Sequence, residues 1–240
     1  MTNNREKFNA ITILSPLLRQ VRAIMIEQNL IDVICSEVLK QLNELNLEKE
    51  DGIKVGVSAR HVHVTQEDLD LLYGKGYQLT KLRTLMGEEF ASNELVTLVG
   101  PSLRSIEKVR ILGPVRKATQ VELAKTDAVR LGITPPVRPS GEIKGSSPVV
   151  IVGPKGVVHI KEGCIIANRH IHMTTAAAAE YGLKDNDSVD VELAGTRPTR
   201  FYDVQIRVSD RFNTEMHIDT DDGNAAGIKS GDRVRILKDR

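Results

Sequence analysis

The chain has 240 residues, 40% of them hydrophobic and 27% charged, and a formal net charge of +1 at pH 7. This composition is that of a globular protein long enough for one large or two modest domains. The near-neutral charge and the 3% aromatic content argue against a broad basic surface or a stacking platform for nucleic acid. Two cysteines give no disulfide framework, and no apolar run approaches the roughly 20 residues of a membrane helix. We therefore expect a cytoplasmic protein that binds neither nucleic acid nor membrane.

The first part of the chain, residues 1–48, has helical periodicity. Apolar residues between Phe8 and about Leu45 recur at the three- and four-residue spacing of a helix face. This pattern predicts an amphipathic helical segment. Two interpretations stay open: the segment packs on the body of the protein or between copies in a homo-oligomer, or it is a detachable helix that docks on a partner.

From Gly52 onward the sequence changes to short apolar runs bounded by Gly, Pro, Asn and Asp, such as "IKVGVS", "LVTLVG", "PVVIVG" and "RVRIL". Such runs are typical of strands in small β-barrels or sandwiches. Two short helical stretches lie among them, and Thr65 and Thr174 are placed to cap their N-termini. The prolines and glycines of "TPPVRPSGEIKGSSPVVIVGPKG" predict an inter-domain connection. The fold class is thus mainly β with short helices.

Two pairs of similar segments indicate an internal duplication. "ARHVHVT" (Ala59–Thr65) aligns with "NRHIHMT" (Asn168–Thr174), and further on "TQVELAKTDAVRLGI" lies ungapped against "TEMHIDTDDGNAAGI". The two matches occur in the same order in both halves. We therefore predict two duplicated β-barrel domains, at residues 49–147 and 148–240, with strands that can be exchanged between the barrels.

The duplicated histidine pairs predict metal binding. Residues i and i+2 of a strand point to the same face, roughly 6.5 to 7 Å apart, so two imidazoles at this spacing can converge on one cation. One such pair is a weak signal, but two copies hold four of the six histidines in the chain. The second alignment adds a third ligand to each pair, because Glu122 falls opposite His217. The predicted sites are His61, His63 and Glu122, and His170, His172 and His217. Three protein ligands leave an open position, as in catalytic zinc sites.

Other chemistry-bearing residues divide into substrate contacts and structural residues. Arg104, Arg110, Arg116 and Lys117 precede Glu122, and Arg60 and Arg169 precede the histidine pairs. Arginines beside an open metal position suit an anionic substrate such as phosphate; the alternative, strand-edge solubility, is preferred for Arg104. Cys164 is interpreted as a small buried hydrophobe rather than a ligand. No dinucleotide-binding or P-loop motif occurs.

The motifs together resemble the PduL-type phosphotransacylases (phosphate propanoyltransferases) of bacterial microcompartments. The resemblance rests on "VGVSARHVHVT", "VRILGPVRKATQVE", "GPKGVV", "ANRHIHMT" and "MHIDTDDGNAAG", and it runs from about Gly52 to Arg240. It implies two β-barrels with a dinuclear zinc site where they meet. It also implies the reversible reaction of acyl-CoA, propanoyl or acetyl, with phosphate to give acyl phosphate and free coenzyme A.

The resemblance also implies roles for individual residues. The family's metal ligands fall on the same six residues that the duplication selects, and its catalytic arginine falls on Arg116. Contacts to phosphate or coenzyme A fall on Ser58, Arg83, Arg110 and Asn224. Microcompartment members often carry an amphipathic encapsulation peptide, so the N-terminal segment implies shell proteins as partners and a place in the microcompartment lumen of the bacterial cytoplasm.

Two other functions stay open from the sequence. A dinuclear zinc hydrolase or thioesterase would use a bridging hydroxide in place of phosphate. A non-catalytic, metal-stabilised scaffold associated with the shell would bind metal without turnover. A hydrolase would release coenzyme A without phosphate, whereas acyl transfer requires phosphate. A scaffold would show no turnover with any acyl-CoA.

Overall fold

This computed structural model describes residues 52–194 and 197–237, together with residue 34. The elements below all belong to one compact unit, Gly52–Arg240. The predicted helical segment 1–48 lies outside the described residues, apart from that single position. Within the described ranges, no helix has both the length and the apolar character required to cross a membrane.

Fourteen strands and four short helices make up the described part of this unit. In chain order they are β1 (Ile53–Ser58), β2 (His61–His63), α1 (Gln66–Tyr73), β3 (Lys81–Thr84), β4 (Phe90–Val99), β5 (Ser105–Gly113), β6 (Gln120–Glu122), α2 (Lys125–Leu131), β7 (Val137–Arg138), β8 (Ser147–Val152), β9 (Val157–Ala167), β10 (His170–Met173), α3 (Thr175–Tyr181), β11 (Ser188–Leu193), β12 (Thr199–Val208), β13 (Glu215–Asp219), α4 (Thr220–Ala226) and β14 (Arg233–Leu237).

The strands close into two six-stranded barrels, which confirms the predicted fold class. The first barrel has the order β4-β5-β2-β6-β9-β8, and β8 closes it by pairing with β4. Strands β3 and β7 extend it at β4 and β9. The second barrel has the order β1-β13-β10-β12-β11-β14 and closes through the pairing of β14 with β1.

Strands are exchanged between the two halves of the sequence. Strand β1 lies in the second barrel, whereas β8 and β9 lie in the first. Neither barrel is therefore built from one of the ranges 49–147 and 148–240 alone. Alternating apolar residues identify a strand but not the strand with which it pairs, so hydrophobic periodicity does not specify which strands are exchanged. The chain crosses between the barrels just before β2 and again just before β10, so both histidine pairs begin at the junction.

Each barrel has its own apolar core. The first is filled by residues such as Val62, Ile111 and Cys164, and the second by residues such as Ile171 and Ile206. All five side chains are fully buried. Burial raises the pKa of the Cys164 thiol to about 12, in agreement with its interpretation as a small hydrophobe.

The short helices start as predicted. Thr65 Oγ1 accepts a hydrogen bond from the Asp68 amide (3.1 Å), and Thr174 Oγ1 accepts one from the Ala177 amide (3.0 Å). Both contacts satisfy amide groups that would otherwise lack partners in the first turn. The caps fix the chain direction directly after β2 and β10, and so hold the ends of the two histidine strands.

The duplication extends to backbone irregularities. Lys108 in β5 and Asp203 in β12 both have positive φ, 57° and 56°, and they differ in position by the same 95 residues as Glu122 and His217. Non-glycine residues rarely adopt this conformation. The two barrels therefore share the same unusual backbone conformation at equivalent strand positions, as expected for a duplication.

Candidate active site

The register of two antiparallel strand pairs brings the predicted ligands together. On β2 and β6, His61 lies opposite Glu122 and His63 opposite Gln120. On β10 and β13, His170 lies opposite His217 and His172 opposite Glu215. Opposed residues on one face of an antiparallel pair have Cβ atoms about 4.5–5.5 Å apart. Each group is thus a two-by-two set of side chains, which we name the first ladder block (His61, His63, Gln120, Glu122) and the second ladder block (His170, His172, Glu215, His217).

In the first ladder block the carboxylate of Glu122 faces both imidazoles. Its Oε2 lies 3.5 Å from His61 Nε2, and its Oε1 lies 3.9 Å from His63 Nε2. His61 Nδ1 lies 2.9 Å from the Ala59 carbonyl oxygen. A ring that donates from Nδ1 carries its lone pair on Nε2, so this backbone contact directs Nε2 of His61 toward the site.

Two side chains hold Glu122 in place. Its Oε1 accepts hydrogen bonds from Gln120 Nε2 (2.6 Å) and Ser140 Oγ (2.7 Å). Gln120 Nε2 also lies 2.9 Å from Ser140 Oγ. Partners of this kind orient a ligating carboxylate and tune its affinity for metal.

The second ladder block repeats the arrangement with a histidine in place of the glutamate. His170 Nδ1 lies 2.8 Å from the Asn168 carbonyl oxygen, the counterpart of the contact between His61 and Ala59. Nε2 of His170 and Nε2 of His172 are 3.0 Å apart. His217 Nε2 lies 3.2 Å from Glu215 Oε2.

Burial favours the uncharged form of the histidines. Desolvation lowers the pKa of His170 to about 4 and that of His172 to about 2, and it holds the pKa of His63 well below the usual range. Burial on its own would raise the pKa of Glu122, but the electrostatic interaction with the neighbouring His61 and the hydrogen bond from Ser140 outweigh it and leave that pKa lowered. Neutral imidazoles and an ionised carboxylate are the forms that bind a metal.

The side chains present fit a divalent metal in each block. In both groups one candidate ligand atom from each of the three residues lies within 4.8 Å of the others. Nitrogen and oxygen donors of these types suit zinc and similar ions. Nε2 of His63 faces the Glu122 carboxylate, and the Nε2 atoms of His170 and His172 face each other, so these nitrogens are directed toward the other candidate ligands of their blocks.

The candidate ligands of both ladder blocks line one cavity of about 810 Å³. This volume lies within the range of small-molecule and cofactor sites. Six arginines also line it: Arg60, Arg83, Arg110, Arg116, Arg207 and Arg211. The cavity therefore combines candidate metal ligands with arginine side chains, which suit an anionic ligand.

Arg116 is connected to the first ladder block. Its Nη2 lies 2.5 Å from Glu89 Oε1, and its Nη1 lies 3.4 Å from Ser140 Oγ. Because Ser140 also donates to Glu122, one hydroxyl links the arginine to a candidate ligand. Glu89 and Ser140 were missed by the sequence reasoning, since Ser140 lies in a Pro- and Gly-rich connection and Glu89 in a loop without a motif.

The other predicted substrate contacts divide into two groups. Ser58, Arg83 and Arg110 line the cavity, and Arg110 donates a hydrogen bond to the Ser92 carbonyl. Asn224 lies on the exposed surface of α4, outside the cavity lining, where its carbonyl accepts from Arg197 Nη1 (3.4 Å). The structure thus brings the first three residues to the candidate site and leaves Asn224 apart from it.

The arginines that precede the histidine pairs have a structural partner. Arg60 Nη1 lies 2.7 Å from Asp127 Oδ1, and Arg169 binds Asp222 through two hydrogen bonds of 2.8 Å. Asp127 and Asp222 occupy equivalent positions in the duplication. Each ion pair connects the segment between the barrels to a helix, α2 for Arg60 and α4 for Arg169, so both arginines are bound by carboxylates.

Arg207 is a further cavity arginine, which the sequence motifs did not indicate. It lies beside His172 in the pairing of β10 with β12.

The sequence is similar to known proteins over most of its length. The family model described as phosphate propanoyltransferase matches residues 54–229. A phosphate propanoyltransferase of Lachnoclostridium phytofermentans is 54% identical over 88% of this chain and 100% of its own length. Those of Thermotoga maritima and Priestia megaterium are 52% and 49% identical, over 80% and 84% of this chain and 92% and 93% of their own lengths. The chain therefore belongs to the phosphate propanoyltransferase family of phosphate acyltransferases.

Proposed function

We propose that the chain catalyses acyl-CoA + phosphate = acyl phosphate + CoA, with a propanoyl or acetyl group, at a dinuclear metal site between the two barrels. The observation that carries this proposal is one cavity lined by the candidate ligands of both ladder blocks and by six arginines. Two divalent ions, with zinc the first choice for these donors, would be held by the two sets of ligands. These are His61, His63 and Glu122, and His170, His172 and His217.

The bound ions would supply charge neutralisation and orientation for phosphate oxygens. Holding phosphate beside the thioester carbon turns a bimolecular attack into a local one. Ser58, Arg83, Arg110 and Asn224 are the proposed contacts to phosphate or coenzyme A. Asn224 belongs to this set through the family resemblance alone, since it lies outside the cavity lining.

Arg116 is the proposed catalytic residue. Its guanidinium is held at the cavity wall by Glu89 and Ser140, where it can donate to the thioester oxygen as negative charge develops there. Fixed donors of this kind act strongly because they need no reorganisation during the reaction. A phosphate oxygen adds to the carbonyl carbon to give a tetrahedral species; when this species collapses, the carbon–sulfur bond breaks and coenzyme A leaves as the thiolate, which then takes up a proton.

The cysteine among the described residues is not a nucleophile for this reaction. Cys164 is buried in the first core, and burial raises its pKa to about 12, so almost no thiolate forms near neutral pH. Direct transfer to phosphate needs no acyl-enzyme. We accordingly propose a single displacement through a tetrahedral species.

Cellular context is part of the proposal. We propose a bacterial cytoplasmic enzyme, with the N-terminal segment 1–48 as an encapsulation peptide that binds shell proteins and takes the enzyme into the microcompartment lumen, or as a contact in a homo-oligomer. A chain that starts near Leu30 tests the first role. If it is still recovered with intact shells, the residues around Asn4 to Gln28, which carry the amphipathic character, do not direct packaging.

The test of the activity is release of free coenzyme A from propanoyl-CoA by the purified protein, with and without phosphate. Release that requires phosphate supports acyl transfer. Equal release in both conditions would make water the nucleophile and the protein a thioesterase. No release from protein shown to contain metal would assign the histidines a structural role in a scaffold.

A further inference from the structure

The two ladder blocks differ in the residue type of the one member that is not a candidate ligand, which we call the fourth corner of the block. In the first block the three candidate ligands include the carboxylate of Glu122, and the fourth corner holds Gln120, an amide. In the second block the three candidate ligands are all histidines, and the fourth corner holds Glu215, a carboxylate. Gln120 and Glu215 are equivalent, since both precede the third ligand by two residues. Each block thus contains one carboxylate, at exchanged positions.

The fourth-corner side chains make contacts that match the ligand beside them. Gln120 donates to Glu122 Oε1 at 2.6 Å, as a carboxylate ligand requires. Glu215 Oε2 lies 3.2 Å from His217 Nε2, so it can accept the ring proton. When Nε2 of His217 carries that proton, its lone pair lies on Nδ1. A carboxylate that accepts from a ligating imidazole fixes the ring orientation and raises its basicity.

The neighbouring strand leaves room for this pair. Gly56 of β1 lies beside His217 in the parallel pairing of β1 with β13. A Cβ at position 56 would lie 3.3 Å from Glu215 Cδ and from His217 Cδ2, closer than ordinary van der Waals contact. In the first barrel the equivalent position beside Glu122 holds Ile165. The glycine therefore lies beside β13, the strand on which the carboxylate of Glu215 and the imidazole of His217 contact each other.

We propose that Glu215 is a positioning residue of the second metal site, where it holds His217 and supplies the carboxylate that the three histidines lack. This inference rests on the proposed function, because it assigns a role toward the same metal pair. With Glu215 in place, each divalent ion is accompanied by one carboxylate. The pair of sites then has matched charge, a net of about two positive charges for a phosphate dianion to neutralise.

The test is a cobalt titration of the full chain after metal removal, followed through the visible absorption of the bound ion. Glu215→Gln keeps the shape and removes the charge. We expect the wild-type protein to take up two equivalents tightly, and Glu215→Gln to hold one as tightly and the other about 10- to 100-fold more weakly. Glu192→Gln, an exposed carboxylate of β11, is the matched control and should titrate like the wild type.

Single-site backgrounds identify the affected ion. In a His61→Ala background, which retains the second block, adding Glu215→Gln should weaken the remaining site about 10- to 100-fold and shift its cobalt spectrum. In a His170→Ala background, which retains the first block, it should change the affinity less than about twofold. Equal loss in both backgrounds, or no loss in either, would overturn the role of Glu215 while leaving the dinuclear site intact. Wild-type protein that binds no cobalt would instead overturn the proposed metal site and this inference together.

Discussion

Replacing Arg116 with alanine removes the guanidinium that Glu89 and Ser140 hold at the cavity wall. The ion pair with Glu89 is partly exposed, with side-chain exposures of 33% and 42%, so its loss should cost less than about 1 kcal/mol of folding free energy. Loss of one donor to a developing oxyanion costs roughly 2.7–4 kcal/mol of transition-state stabilisation, or about 10²- to 10³-fold in kcat. The expected variant is folded and nearly inactive.

The assay is phosphate-dependent release of coenzyme A thiol, with the thermal midpoint measured on the same samples. Arg116→Lys retains the charge but not the planar fork, so its kcat should lie between those of the wild type and the alanine variant. Arg104→Ala is the matched control, because Arg104 is exposed and donates to the Val129 carbonyl away from the cavity. A rate within about threefold of wild type for Arg116→Ala would remove this arginine from the mechanism.

Four further outcomes follow from the site and its surroundings. Ser140→Ala deletes one donor to Glu122 and should weaken one of two metal equivalents about 10-fold or more, as measured by dialysis against a chelator. Gly56→Ala should weaken the other equivalent, because the new Cβ presses on the Glu215 pair. Cys164, with a pKa of about 12, should resist alkylation at pH 8 in the native state and react on unfolding. Metal-free protein should lose stability as pH falls from about 6.5 to 4, because unfolding lets His63, His170 and His172, whose folded pKa values are lowered by burial, take up protons. His170 alone, with a folded pKa of about 4, contributes a loss of about 3 kcal/mol over this range. A free energy of unfolding of the metal-free protein that stays constant from pH 6.5 to about 4, measured in urea, would contradict this.

The candidate ligands could be predicted from sequence because local pattern and duplication constrain them. Residues two apart on a strand share a face, so each histidine pair is a local signal. The alignment then matched Glu122 with His217, and strand register places them opposite His61 and His170. Gln120 could have been found by the same rule, since it precedes Glu122 by two residues.

The remaining features depend on contacts between distant segments. Strand β1 pairs with β13, more than 150 residues away in sequence, and alternating hydrophobicity does not encode such a partner. Ser140 reaches Glu122 from a loop, and its residue type there is typical of any turn. The sequence suggests an anionic substrate as the partner of Arg60 and Arg169, whereas the structure pairs them with aspartates on α2 and α4, whose positions the sequence does not give.

The most direct test of the account is to identify the product. Purified, metal-loaded protein is mixed with propanoyl-CoA and phosphate, and acyl phosphate is followed by phosphorus NMR while free coenzyme A is followed by its thiol. We expect acyl phosphate and coenzyme A to appear in equal amounts, and both to cease to form when the metal is removed. Coenzyme A that forms without acyl phosphate, at a rate independent of phosphate, would contradict acyl transfer to phosphate.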